Sequence, residues 1–229
     1  MKAATKLALV AVAVPTLFVG GIGAYVSYAN SKLEPVVRDP AADLVFRAPR
    51  EHPVTPAMLA AARELGKAPA PDFGLVDTEA RYHTLKSLTK GKPLVMFFVE
   101  LECPCCTGAK DTIDAIHEVY GDVCNVVGVI NADPPLAKAW VNAVGPKFPI
   151  LCDPQMDTIH AYKAERGVYT TLVTPDGQIA KAYPGYSQGM LAEMAGKIER
   201  LAGIEKRRIS LKTAPTELIS GCEFPAGTL

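Results

Sequence analysis

Three of the six cysteines crowd into one turn, in Glu100-Leu101-Glu102-Cys103-Pro104-Cys105-Cys106. Cys103 and Cys106 form a Cys-x-x-Cys pair. Placed where a strand turns into a helix, the first cysteine lands at the helix N-terminus and the second one turn in. The helix dipole and the free N–H groups there stabilise a thiolate and make the Cys103 sulfur a nucleophile. Cys106 is then close enough to close a disulfide. The chemistry implied is dithiol–disulfide exchange, with Cys103 and Cys106 as the catalytic pair.

The remaining cysteines divide by context. Cys105 sits between the pair, as an auxiliary thiol or a bystander. Cys124, in an apolar run, and Cys152, before Asp153-Pro154, read as core filler. Cys222 stands in Ile219-Ser-Gly-Cys-Glu-Phe-Pro225, in a polar tail. An exposed thiol in an oxidising compartment is a liability, so a disulfide partner is expected. Cys222 could fold back onto Cys103, Cys105 or Cys106 as a resolving thiol, or link to another chain. Glu100 and Glu102 disfavour a thiolate nearby, so the Cys103 pKa is expected to be only modestly depressed, with Lys110 a partial compensation.

These thiols need a strand in front and a helix behind. Pro93 to Val99 is a continuous apolar run, as expected for a strand buried on both faces. A helix from about Cys106 to Tyr120 follows, with Ile113, Ile116 and Val119 on one face. Val123–Ile130 reads as a second buried strand and Asp133 as the cap of another helix. Phe148–Cys152 reads as a strand and Met156–Lys163 as a helix. Val168–Thr174 and Gln178–Tyr183 form a hairpin across Pro175-Asp176-Gly177. Gln188–Leu201 closes the domain as an amphipathic helix. Phe73–Val76 and Tyr82–Leu85 open it as short strands. The class is α/β with a mixed sheet flanked by helices.

Four regions follow. Residues 1–29 carry an apolar run, Leu7 to Ala29, that holds no charge. At about 1.5 Å per residue it reaches about 35 Å, enough to cross a hydrocarbon core of about 30 Å. Lys2 and Lys6 precede it, so one N-terminal transmembrane helix would leave the N-terminus cytoplasmic and export the rest, with Tyr25 and Tyr28 at the outer interface. A cleaved signal peptide ending at Ser27-Tyr28-Ala29 is the alternative. Either reading puts the C-terminal domain on the periplasmic or extracytoplasmic side. Residues 30–68 form a proline-rich tether with one short helix, capped by Thr55 with Pro56 at its first position. Residues 69–204 form the α/β domain and 205–229 the tail.

Composition narrows the classes. Lys plus Arg and Asp plus Glu are 24 each, for a net charge of zero, which gives no support for nucleic-acid binding. Hydrophobic residues are 49% of the chain, too many for a disordered protein. Six cysteines in 229 residues are too sparse for a disulfide scaffold.

The stretch from Ala70 to Gly203 resembles the thioredoxin fold, and within it the redoxin group (alkyl hydroperoxide reductase and thiol-specific antioxidant) and the membrane-tethered thioredoxin-like proteins. The resemblance rests on Ala70-Pro-Asp-Phe73, Gly91-Lys-Pro-Leu-Val-Met-Phe-Phe98, Phe148-Pro-Ile-Leu-Cys-Asp-Pro154 and Gly167-Val-Tyr-Thr-Thr-Leu-Val-Thr-Pro-Asp-Gly177. It implies thiol–disulfide exchange with a protein disulfide or dithiol as substrate, no cofactor, and a groove formed by Pro104, Tyr169 and Thr170. Three departures stand out. Glu102 replaces the usual Trp, Tyr169 replaces the cis-proline, and the peroxidatic Pro-x-x-x-Thr-x-x-Cys is absent, with Met96 and Glu100 at its Pro and Thr. The last argues against a peroxidase. No metal site is expected, because none of His52, His83, His117 or His160 falls in the final hairpin, where redoxin-fold copper chaperones carry their histidine. The alternative to exchange is a non-catalytic subunit of a membrane complex, with membrane-complex subunits as its partners. Membrane contact would run through residues 7–29.

Overall fold

The computed structural model describes residues 52–66 and 68–225. The expected transmembrane helix and most of the tether lie outside those residues. Among the described residues, no helix is long and apolar enough to cross a membrane.

The apolar run becomes β4 (Leu94–Val99), and all six of its residues are buried. Side chains alternate across a strand. Val95, Phe97 and Val99 therefore face one core, and Leu94, Met96 and Phe98 face the other. β4 pairs in parallel with β5 (Asn125–Ile130) and antiparallel with β7 (Thr170–Val173). β5 pairs in parallel with β6 (Ile150–Cys152), and β7 antiparallel with β8 (Ile179–Tyr183). At the far edge, β2 (Gly74–Asp77) joins β6 and β3 (Tyr82–Thr84). The sheet order is β3-β2-β6-β5-β4-β7-β8, a mixed sheet with the cysteine-bearing connection leaving its middle.

The helices follow from capping and stripe. α1 (Pro56–Glu64) starts where the sequence places it, with Thr55 Oγ1 accepting from Met58 N. α2 (Leu85–Leu88) is one capped turn. α3 (Pro104–Tyr120) buries Ala109, Ile113, Ile116 and Tyr120, spaced three and four apart on one face. α4 (Pro134–Val144) is capped by Asp133 and stopped by Gly145 at φ 64°. α5 (Asp157–Ala161) is short. α6 (Gln188–Ala202) buries Met190, Leu191, Met194, Ala195 and Ile198.

The polar tail does not stay polar in place. Ile204, Ile209, Leu211 and Leu218 pack on the α3 core. The tail then forms β9 (Ile219–Ser220), which pairs antiparallel with β1 (His52–Pro53). Apolar residues two to seven apart among charges give no sustained strand or helix period, so this course was not visible in the sequence.

One polar cluster fastens the tail to α3. The Tyr120 hydroxyl donates to Glu199 Oε1 at 2.7 Å, and Arg207 N donates to the same oxygen at 2.8 Å. The Arg207 guanidinium grips both Asp122 oxygens. Tyr120→Phe is expected to lower the unfolding free energy by about 1–2 kcal/mol, the usual cost of losing a buried hydrogen bond. Urea denaturation checks it; an unchanged midpoint would contradict it.

Candidate active site

Cys103 caps α3 in extended conformation, at φ −82° and ψ 110°. Pro104 takes the first helical position, where a missing N–H costs nothing. The Cys103 side chain therefore sits beside the positive end of a 17-residue helix. Cys103, Cys105 and Cys106 are all buried, at 1%, 3% and 0% exposure. Such burial would leave an unsolvated thiolate unless donors surround it.

They do. The Cys105 thiol, then the Cys106 thiol, donate to the Cys103 sulfur and hold it well below the usual thiol range. The backbone N–H of Cys222 donates to the same sulfur at 3.1 Å. Cys106 moves the other way, raised by complete burial and by the charge on Cys103. One sulfur is thus poised as thiolate and the other kept as thiol.

The expected modest depression of Cys103 is corrected by this geometry. The carboxyl carries the cost of the neighbouring charges: burial first, and the Cys103 charge after it, push Glu100 up to about 6. The expected help from Lys110 is also corrected. Its ammonium is engaged by Asp111, Asp114 and the Gly145 carbonyl. Ionising Glu100 opposes folding, because its folded pKa exceeds the ordinary 4.5. The favourable neutral form is complete below the ordinary value and lost as pH rises through 6. Urea stability is therefore expected to fall between about pH 4.5 and pH 6, and Glu100→Gln to flatten that fall.

Opposite the cysteines runs the segment Gly167-Val168. A Cβ on Gly167 would lie 2.6 Å from Cys106 Sγ and 3.2 Å from Glu100 Cβ, so only glycine fits. Val168 follows at φ 67°, a left-handed conformation that strains a β-branched residue by about 1–3 kcal/mol. Two bonds to β4 hold it there, Val168 N to Phe98 O at 2.9 Å and Phe98 N to Tyr169 O at 2.8 Å.

The expected groove is only partly formed by the expected residues. Pro104 borders the cysteines. Tyr169 does not: its ring packs on Phe98 at 6.1 Å, in the core on the other side of the sheet. Thr170 is fully buried in β7. Strand alternation explains this, since the residue that faces the cysteines is fixed by the pleat and not by sequence proximity. Cys124 and Cys152 are buried, and burial raises their thiols to about 12 and about 11.

Four contributors escaped the sequence reading. Asn131 Oδ1 accepts from Leu101 N at 2.8 Å and braces the loop before Cys103. Gly167 supplies the close approach. Tyr186 lies beside the three thiols, and burial first, then their charges, raise its phenol. His52 Nε2 stands 3.8 Å from Cys222 Sγ. Gly167, in the hairpin motif, carried a usable signal; the others are brought in by tertiary packing alone. Glu100, Cys103 and Cys222 each place one donor atom within 4.8 Å of the others.

Residues 67–188, more than half of the chain, match the AhpC/TSA family. Thiol-disulfide oxidoreductase ResA of Halalkalibacterium halodurans is 28% identical over 134 residues, covering 58% of this chain and 74% of that protein. A putative thiol:disulfide interchange protein DsbE from Chlorobium tepidum superposes with TM-score 0.55 at 19% identity, covering 60% of this chain and 98% of that one. An uncharacterized conserved protein from Geobacillus kaustophilus gives TM-score 0.57 at 17% identity, covering 71% and 93%. With the sheet order and the strand-to-helix turn described above, the fold is thioredoxin-like, and the chain belongs to the AhpC/TSA family.

Proposed function

We propose that this protein is a membrane-anchored, exported thiol–disulfide oxidoreductase acting through its Cys-Pro-Cys-Cys turn. The observation that carries the reading is the Cys103 sulfur, set at a helix N-terminus and hydrogen-bonded by the thiols of Cys105, Cys106 and Cys222 and by the Cys222 N–H. The Cys103 thiolate attacks a disulfide of a protein partner. One partner sulfur joins Cys103 in a mixed disulfide, and the other leaves as thiolate. Cys106 then passes its proton to that partner thiolate and attacks the Cys103 sulfur. The Cys103–Cys106 disulfide closes and the second partner thiolate departs. Two electrons pass from the protein to its partner; run backwards, the same steps oxidise a dithiol.

The relative named as a thiol-disulfide oxidoreductase supports this chemistry. The anchor rests on the uncharged run in residues 7–29 and on Lys2 and Lys6. The test has two parts. Full-length protein in detergent should reduce insulin in the presence of dithiothreitol faster than dithiothreitol alone. A reporter fused after residue 229 should be active only outside the cytoplasm. Absence of catalysed reduction would defeat the exchange reading, and a cytoplasmic reporter would defeat the export reading.

A further inference from the structure

The tail does more than cover the site. Gly221 N donates to Gly167 O at 2.9 Å, and Gly167 N donates to Cys222 O at 2.9 Å. The second of these, with Phe224 N donating to Glu165 O, pairs Arg166 with Glu223 in a short antiparallel bridge beside Cys106. Phe224 is buried, with its N–H on Glu165 O at 3.2 Å, and Arg166 pairs with Glu223. On the other side Ser220 Oγ donates to the His52 carbonyl at 3.0 Å within the β1–β9 ladder. A Cβ on Gly221 would lie 2.5 Å from Gly167 O, so this bridge also requires glycine. Cys222 is thereby held on both flanks, with its sulfur close to that of Cys103.

We propose that Cys222 is a redox thiol of this site, which resolves mixed disulfides on Cys103 with His52 as its proton acceptor. The proposal rests on the exchange reading and adds a third sulfur to it. Cys103 is 1% exposed with the tail in place, so the tail lifts to admit a partner disulfide. When it returns, the Cys222 S–H passes its proton to His52 Nε2, 3.8 Å away. The sulfur attacks Cys103 Sγ, the Cys103–partner bond breaks, and the partner leaves as thiolate. The Cys103–Cys222 disulfide forms, and the two electrons lost by these thiols reside on the partner. Cys106 is the slower competitor: it is wholly buried under Gly167, whereas Cys222 is half-buried and carries a base. The other charged groups around Cys222 are Glu100, within 4.8 Å, and the Arg166–Glu223 pair on the tail. A short tether also keeps the attacking thiol at an effective concentration on the order of millimolar.

The test uses full-length reduced protein and one equivalent of 5,5′-dithiobis(2-nitrobenzoate). Attack by Cys103 releases one thionitrobenzoate, and resolution releases the second. In Cys106→Ser, two equivalents and a Cys103–Cys222 bridged peptide by mass spectrometry are expected. One equivalent with a persistent adduct on Cys103 would overturn the proposal. Cys106→Ser/Cys222→Ser should stop at one equivalent, and release of two would equally overturn it. His52→Ala in the Cys106→Ser background should slow the second release by about a hundredfold at neutral pH, as loss of a general base does. The rate should recover as pH rises and Cys222 ionises unaided. An unchanged rate, or a loss with no recovery at high pH, removes His52 from this role. Failure of the parent reading looks different: Cys103→Ser would then react as fast as the wild-type protein.

Discussion

Replacing Cys103 with Ser abolishes insulin reduction, with kcat/KM falling at least about a thousandfold, as expected when the attacking nucleophile of a covalent mechanism is lost. The magnitude follows from how unevenly the site treats its sulfurs. Cys103 alone has the helix N-terminus, three thiol donors and a backbone N–H directed at it. Cys106 is wholly buried and held protonated, so it cannot substitute. A serine hydroxyl in the same cage stays protonated at neutral pH and leaves disulfides untouched. Cys105→Ala makes the contrast: it removes one donor to the thiolate, so it should raise the Cys103 pKa and slow attack while leaving turnover measurable. Iodoacetamide alkylation against pH reads the pKa directly. Wild-type turnover in Cys103→Ser would show that the attacking sulfur has been misassigned.

Gly167→Ala is the second substitution expected to be severe, although it adds only a methyl group and no charge. That methyl would meet Cys106 Sγ at 2.6 Å, well inside contact distance. The segment cannot retreat freely. Val168 is fastened to Phe98 by its N–H, and Gly167 is bridged to the tail through Gly221 and Cys222. Either Cys106 turns away from Cys103 or the bridge opens. Overpacking of this kind destabilises a core by about 1–3 kcal/mol. The functional loss should exceed that of a merely destabilised enzyme, because both escapes dismantle the thiol cage. Insulin reduction measured well below the unfolding temperature, together with the Cys103 thiol pKa, separates the two effects. A normal thiol pKa and normal turnover would show that the site absorbs the methyl elsewhere.

How much of this was legible in the sequence depended on whether the cause was local. The apolar run of β4, the Thr55 and Asp133 caps and the stripe of α6 follow from period and capping, and each appears within a residue or two of its expected place. The Cys-x-x-Cys at a strand-to-helix turn was legible for the same reason. Tyr169 was misread because sequence neighbours in a strand point to opposite faces, and which face receives which residue depends on register with β4. The strength of the Cys103 depression was misread because its donors come from Cys105 and from a tail more than a hundred residues away. Nearby carboxylates were visible, but not that Glu100 would be buried and its pKa pushed up to about 6. The approach of His52 to Cys222 joins two segments that look like linker, and no local pattern encodes it.

The β1–β9 ladder has one further consequence. His52 and Pro53 at the front of the domain pair with Ser220 and Ile219 at its rear. The strand that leads to Cys222 therefore has one of its partners in a two-residue segment in front of α1, the other being Tyr186. A protease cutting just after that pair would free it to leave and loosen the tail. His52, whose Nε2 stands 3.8 Å from Cys222 Sγ, would go with it. Cleavage at one end of the chain would thus be read out as a change in thiol reactivity, making the ribbon a mechanical link between processing of the linker and the redox behaviour of the site.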